Sequence, residues 1–345
     1  MKKLFTLICL TGFLSFGFGS IQASIQEVYR STKSFKKPES VQIDGDFCKV
    51  VLEPSDRDSI KVETIIEASQ KADGFGLKYE LVNNILQLSI TIPDEHISTK
   101  TGQIVVNIPE GMHITVKTSS GYIELGNLKD CTVNAHASYG KISAENVSGE
   151  YEFKTSTGTV SAMNVKGNIT VNTKSGNIDM SNIDGYVTTI SDKGDISASN
   201  IKGELTTQTN TAAQKISNID GKLMLRTSTG ELTLKNIEGH LQTLNDDGDV
   251  WIENLKGTMD LKSIAGRLTG TGILLTGNTS FETTKGRIEM ELKNSLNELT
   301  FDLESNYGFL YIPGKAKKKK LNSGNGPIVI TGRTNNGPQR FSLAE

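Results

Sequence analysis

Apolar and polar positions alternate in short runs that restart every eighteen residues through the middle of the chain. In Gly176-Asn177-Ile178-Asp179-Met180-Ser181-Asn182-Ile183-Asp184-Gly185, apolar side chains stand two and four places after the leading glycine, and a period of two predicts a strand. Ile142 and Ala144, Val160 and Ala162, Ile196 and Ala198, Leu232 and Leu234, and Val250 and Ile252 occupy the same two places. These columns are expected to face inward. A second alternation follows the second glycine (Tyr151 and Phe153, Ile169 and Val171, Leu223 and Leu225, Met259 and Leu261). It ends in a hydroxyl column at Thr155, Thr173, Ser191, Thr209, Thr227 and Ser263.

The positions between the strands keep the same step. Gly140, Gly158, Gly176, Gly194, Gly230, Gly248 and Gly266 lead each unit, with Ala212 filling the one missed beat. Asn146, Asn164, Asn182, Asn200, Asn218, Asn236 and Asn254 follow six places on, and Gly149, Gly167, Gly185, Gly203, Gly221, Gly239 and Gly257 three beyond those. A fixed period of this length marks a repeat array. One unit cannot bury its own apolar side, whereas stacked units pair their backbones in parallel and join their inward residues into one core. The fold expected is therefore all-β, a parallel β-solenoid of 18-residue rungs. The roughly ten or eleven turns would span about 50 Å at ~4.8 Å per rung, and the crossover rule favours a right-handed coil. The Asn column is expected to form a structural ladder at one corner, since Asn tolerates left-handed dihedrals and bonds its neighbours. The glycine columns are expected to supply positive-φ corners.

Both ends depart from the beat. Met1-Lys2-Lys3, the apolar run Leu4 to Phe18 and the small-residue site at Ala23 read as a secretory signal over residues 1–23. Residues 24–117 alternate without the repeat and are expected to form a β-rich, antiparallel cap over the first rung. The solenoid proper is assigned to 118–312, where Gly286 and Gly308 arrive late, and a C-terminal loop with capping strands to 313–345. Export leaves Cys48 and Cys131, for which a disulfide and a pair of buried free thiols both remain open. A net charge of -2 gives no field that would draw nucleic acid.

The strand Ile104-Val-Val-Asn-Ile-Pro109, the stretch Val116 to Leu125 (VKTSSGYIEL) and the recurring Thr-Ser-Thr-Gly and Asn-Val-Lys-Gly turns resemble the bacterial DUF4097 β-strand repeat family, a group named as adhesins. The similarity runs over about residues 35 to 340. It implies a repeat scaffold and brings no catalytic residue with it.

Chemistry is sparse. The best acidic cluster is Asp246, Asp247 and Asp249 around Gly248, with Glu231 one rung away and Asp192 and Asp195 in matching columns. Oxygen ligands of this kind suit a hard cation, yet Asp also favours turns, and the calcium-roll nonapeptide is missing. Trp251 is the only tryptophan and falls on an outward column between Thr233 and Thr269, which are small enough to leave its ring bare. The four histidines are scattered and no Cys/His zinc spacing occurs. Lys315 and Lys317 to Lys320 form one basic run, read as a solvated loop.

The function expected is thus a non-enzymatic scaffold, exported beyond the cytoplasm, with no cofactor or metal. Its flat faces would bind a surface, a glycan or an envelope protein, with Trp251, Thr233, Thr269, Asp246, Asp247 and Asp249 as the candidate surface. A carbohydrate-active β-helix enzyme or glycan-binding module, and an envelope-sensing protein partner, stand as the alternatives. Export makes a direct prediction: N-terminal sequencing of the protein from its native host should start at Ser24 or within a residue or two. Recovery of intact Met1 on cytoplasmic protein would contradict it.

Overall fold

The computed structural model describes residues 25–344, so the expected signal segment lies outside the described residues. Among these residues the only helical element is one short 3-10 turn, Leu296–Glu298, and no helix is long and apolar enough to cross a membrane. The rest is a parallel β-solenoid.

Each regular rung is one long bent strand: Ile142–Thr155, Val160–Thr173, Ile178–Ser191, Ile196–Thr209, Gln214–Thr227, Leu232–Asn245 and Val250–Ser263. Successive rungs pair in parallel with an offset of eighteen residues, as in Ile178↔Ile196 and Val187↔Leu205. The two expected inward columns are buried, and so is the hydroxyl column. A third inward column, Val147, Val165, Ile183, Ile201, Ile219, Ile237 and Leu255, lies just after the Asn corner and is also fully buried. It adds a further apolar row between the two bends, at about 1.5–3 kcal/mol for each large side chain taken out of water.

The bends follow from the residues placed there. Every ladder asparagine has φ between 54° and 59°. Its Nδ2 donates to Oδ1 of the Asn one rung earlier: Asn164 to Asn146 at 2.8 Å, Asn182 to Asn164 at 2.9 Å, Asn200 to Asn182 at 3.0 Å. The ladder begins at Asn127 and stops at Asn254, where Gly272 takes the next place and Lys293 lies beside it. Three residues after each Asn the second glycine column also has positive φ, 123° at Gly149 and 151° at Gly185.

The leading glycines obey a different constraint from the one expected. They do not have positive φ. A Cβ on Gly176 would instead sit 1.9 Å from the carbonyl oxygen of Gly158, and one on Gly194 2.0 Å from that of Gly176. Glycine is needed here because two backbones touch. The buried hydroxyl column braces the same corner: the amide of Gly176 donates to Thr173 Oγ1 at 2.9 Å and that of Gly194 to Ser191 Oγ at 2.9 Å. At the missed beat, Thr209 Oγ1 reverses its role and donates to the carbonyl of Ala212 at 3.1 Å. An inward glutamine then replaces the usual aliphatic residue. Gln214 is fully buried; its Nε2 donates to Thr209 Oγ1 at 3.0 Å and to the Arg226 carbonyl at 2.9 Å, and its Oε1 accepts from Thr207.

The ends are threaded, and the chain order there is not the stacking order. Near the N-terminus, Ser40–Asp46 and Lys49–Pro54 form a turn lying between the turn of Ile85–Thr91 and Lys100–Ile108 and that of His113–Thr118 and Ile123–Gly126, parallel to both. Parallel stacking thus reaches well into the stretch expected as an antiparallel layer. Antiparallel pairs are confined to Gln26–Lys36 on Ser59–Ala68, Ser59–Ala68 on Lys100–Ile108, and the hairpin Gly76–Val82 with Ile85–Thr91. The C-terminal end repeats the device. Ile328–Thr334 and Gln339–Leu343 slot between the turn of Thr279–Thr283 and Ile288–Leu292 and the strand Leu299–Ile312, and Lys315–Ser323 covers the outside antiparallel. Gly337 therefore sits between Gly286 and Gly308 in the corner stack. Phe341 of the inserted turn packs against both Phe281 and Phe301, centroids 5.7 Å apart in each pair. The basic run expected as a loop is this outer strand.

Cys48 and Cys131 are free, buried and on separate corners. Cys48 holds the leading-glycine place of the inserted N-terminal turn, with Gly121 stacked on its carbonyl and Gly102 leaving room for its Sγ; Cys131 begins the other glycine column, directly before Gly149. Burial pushes the Cys48 thiol up to about 12 and raises that of Cys131 too. Both thiols should resist a thiol reagent such as DTNB near pH 8 in the folded protein and react stoichiometrically in denaturant; fast native reaction of either would contradict the corner packing.

Two pairs of substitutions test the architecture itself. Asn200→Gly keeps the left-handed corner but loses two ladder bonds, and Asn200→Ala loses both; denaturant unfolding should rank the parent above Gly and Gly above Ala, the last gap about 1 kcal/mol. Ile178→Asp puts an unpaired carboxylate in the core and should cost several kcal/mol, whereas Asp179→Ala on the exposed side should be nearly silent. Equal costs at 178 and 179 would refute the inward and outward assignment.

Candidate functional site

Trp251 projects from the strand Val250–Ser263 and is 40% exposed. Its register neighbours are Thr233 on one side and Thr269 on the other, as the eighteen-residue step requires. A short hydroxyl side chain stands on each flank, and the indole is part exposed. Charged groups surround it: Asp249 and Glu253 two places away along its own strand, and Lys235, which reaches Glu253 at 2.9 Å from the previous rung.

The acidic cluster comes apart in three dimensions. Asp249 Oδ1 accepts the backbone N–H of Arg267 at 2.8 Å, and its Oδ2 pairs with the Arg267 guanidinium at 3.1 Å. Asp195 does the same job three rungs earlier, accepting the Ala213 N–H at 3.0 Å. Asn177 accepts that of Asp195 at 3.1 Å. This place next to the leading glycine is a rung-to-rung brace, so Asp249 is committed to structure. Asp246 and Asp247 are exposed at the turn, and their amides donate to the carbonyls of Thr227 at 3.3 Å and Ser228 at 2.8 Å. Asn245, in the same stretch, is buried; its Nδ2 donates to the Gly248 carbonyl and to Ser263 Oγ. Among the described residues no three His, Cys, Asp or Glu side chains are grouped as a cation would need.

The same outward column leads on to residues that the sequence reading passed over. Trp251 is followed in register by Thr269, Glu289, Arg340 and Tyr311. Tyr311 stacks on Phe309 with centroids 6.0 Å apart, and the Arg340 guanidinium lies 5.1 Å from the Tyr311 centroid. Lys318 Nζ caps the exposed Phe309 ring at 4.7 Å. Arg287, Glu289, Phe309, Tyr311, Pro338 and Arg340 line a hollow of 330 Å³ there. Counting from Gly308 would have found the aromatics: Leu310 and Ile312 fall on the two inward places, leaving Phe309 and Tyr311 outward. At ~4.8 Å per rung, about 19 Å separate Trp251 from Tyr311. Trp251 at one end can stack on an apolar ring face, while at the other Arg340 lies over Tyr311 and Lys318 over Phe309, and the threonine, glutamate and arginine between can bond hydroxyls.

A larger hollow of 620 Å³ lies elsewhere, where the Asn ladder starts, lined among others by Glu53, Glu124, Asn127, Lys141, Glu145 and Met163. Glu124 is already paired with Lys49 at 2.8 Å. No aromatic residue lines it.

The Toastrack DUF4097 family model matches residues 39–212 and 166–336, which together span nearly all of the described chain. No curated protein matches. Among solved structures, a "putative cell adhesion protein" from Clostridium sporogenes aligns over 92% of this chain and 100% of its own, at 10% identity and a TM-score of 0.23. A likeness that faint carries no argument about shape or function.

The brace makes its own prediction. Asp249→Ala should lower the unfolding free energy by about 1–2 kcal/mol, since a backbone donor loses its charged partner. Asp249→Asn, which keeps an acceptor for the Arg267 amide, should recover part of that loss. Chemical denaturation decides it, and an Asp249→Ala variant as stable as the parent would contradict the assignment.

Proposed function

The chain belongs to the Toastrack DUF4097 family, and from that premise we propose that it is an exported, non-enzymatic adhesin-like scaffold that binds a cell-surface glycan along the outward column from Trp251 to Tyr311. The observation that carries this reading is the part-exposed Trp251 side chain between Thr233 and Thr269, in line with the second aromatic group at Phe309 and Tyr311. Sugar rings present apolar faces that stack on aromatics and edges rich in hydroxyls. Glu289 and Arg340 supply an acceptor and a donor between the two aromatic ends. A rigid face also loses little conformational entropy on binding.

Asp246 and Asp247 flank this surface at the turn and would contribute peripheral polar contacts. Asp249 acts through the fold, holding the next rung in place. The Asn ladder likewise serves the scaffold and takes no part in recognition.

Binding of the purified protein to a panel of envelope polysaccharides, alongside an assay of reducing-end release, tests the reading. Trp251→Ala should weaken binding about fivefold, the equivalent of ~1 kcal/mol of stacking, with folding intact. No turnover is expected. Sustained cleavage that Asp249→Ala abolishes without unfolding the protein would overturn the proposal in favour of an enzyme.

A further inference from the structure

The basic run has no part in the glycan-binding column, yet its position in the fold is distinctive. Its strand, Lys315–Ser323, is the last of the sheet at the C-terminal end and pairs on one side only among the described residues, with Leu299–Ile312. Lys315, Lys317, Lys318, Lys319 and Lys320 all lie on it, and all five are exposed.

Little of this charge is neutralised within the protein. Residues 299–323 contain two carboxylates, Asp302 and Glu304. Arg333 pairs with both, and Lys320 with Glu304 at 2.6 Å. Lys315 donates to Ser323 Oγ at 2.7 Å, and Lys318 covers the Phe309 ring. Among the described residues Lys320 is the only one of the five lysines paired with a carboxylate.

The register spreads these side chains to both sides of the strand. Lys318 and Lys320 lie opposite Phe309 and Glu304 on the outward face, whereas Lys315 and Lys317 lie opposite Ile312 and Leu310, on the side of the core. At the bend, where the register shifts, Lys319 has φ of 70° and stands across from the stretch that carries Tyr307, which is 80% exposed.

This layout disfavours two kinds of partner. A second copy stacked end to end would present either the same lysines or the strand Gln26–Lys36, whose Arg30, Lys33 and Lys36 are opposed by Glu27 alone. A linear polyanion lying along the strand would meet the lysines of one side only. A plane laid across the end of the rod is within reach of both sides, because each four-carbon stem carries its ammonium group well away from the backbone.

We propose that this end of the solenoid binds the surface of an anionic lipid bilayer, with the lysines against the headgroup phosphates and Tyr307 in the interfacial layer. Lysine is a compact point charge that suits a diffuse array of phosphates, and clustered lysines are what such a surface attracts. A tyrosine ring has an apolar body and a polar tip, which fits it to the boundary between headgroups and acyl chains. Lys315, Lys317 and Lys319 lie outside the outward column of Trp251, so binding of glycan there, or its absence, leaves this site untouched.

Co-sedimentation of the full chain with vesicles tests it, using phosphatidylcholine alone and phosphatidylcholine with about a third phosphatidylglycerol, at about 0.1 M salt, where charges act over ~10 Å. The parent should prefer the anionic vesicles and lose that preference at about 1 M salt. The triple variant Lys315→Gln, Lys317→Gln, Lys319→Gln should bind them about a hundredfold more weakly, with an unchanged thermal midpoint. Arginine at the same three positions should retain binding, and Tyr307→Ala should weaken it about threefold. The apolar run at the N-terminus is the same in every variant, so a loss on substitution reads the lysine edge. A parent with no preference for anionic vesicles, or anionic binding that the glutamine variant keeps, overturns the proposal. Soluble polyphosphate bound as tightly as the vesicles, with Tyr307→Ala without effect on either, assigns the edge to a linear polyanion and overturns it too.

Discussion

The contact on which everything else depends is backbone against backbone at the leading-glycine corner. Each carbonyl there stands where the Cβ of the residue one rung later would be, about 2 Å away. A side chain there would strike the neighbouring rung's backbone, so glycine holds this place in every regular rung except at Ala212, and consecutive strands pair in parallel on both sides of the corner. The hydroxyl column then tethers the glycine amides from inside, and the Asn ladder fixes the opposite bend from outside. Neither device would function at another spacing. Apolar burial supplies most of the driving force, but it is the corners that decide where those apolar columns line up.

Departures from the repeat show how strict the constraint is. Where Ala212 replaces glycine, the tether changes direction and Gln214 is drawn into the core to bond it. Gln339 occupies the equivalent inward place in the inserted C-terminal turn and bonds Thr334 Oγ1 at 3.2 Å, the same five-residue reach. Cys48 fits a leading position only because Gly102 lies on its side-chain side. Gln214 and Gln339 thus bond corner hydroxyls from inside the core, and their burial is no sign of a reactive centre. The outward columns escape this discipline, which leaves them free to carry Trp251, Tyr311 and Phe309.

Much of this was legible in the chain because the period is so regular. Alternation placed Ile178 inward and Asp179 outward, and the step of eighteen put Thr233 and Thr269 beside Trp251. Three things were not legible, each for a physical reason. The column from Val147 to Leu255 has no alternating partner, since the two positive-φ bends on either side of it break the period of two. The leading glycines were expected to need positive φ, but close approach of two rungs is a property of the stack and leaves no mark in the local sequence. Threading of the ends was invisible because spacing reports neighbours along the chain, whereas Gly337 inserts between Gly286 and Gly308 against that order. This also hid the link between Trp251 and Tyr311, which only the inserted Arg340 strand completes.

Corner register holds the fold together, and a rung duplication tests this most directly. Inserting a second copy of residues 176–193 after Lys193 adds one complete unit, with its glycine, asparagine and hydroxyl each in place. Thermal unfolding of this variant should remain cooperative with a midpoint close to the parent's, while the same insertion shortened by one residue should unfold well below it or fail to fold, because every column beyond it is displaced. Equal tolerance of the two insertions would contradict the claim that stacked corners hold this fold together.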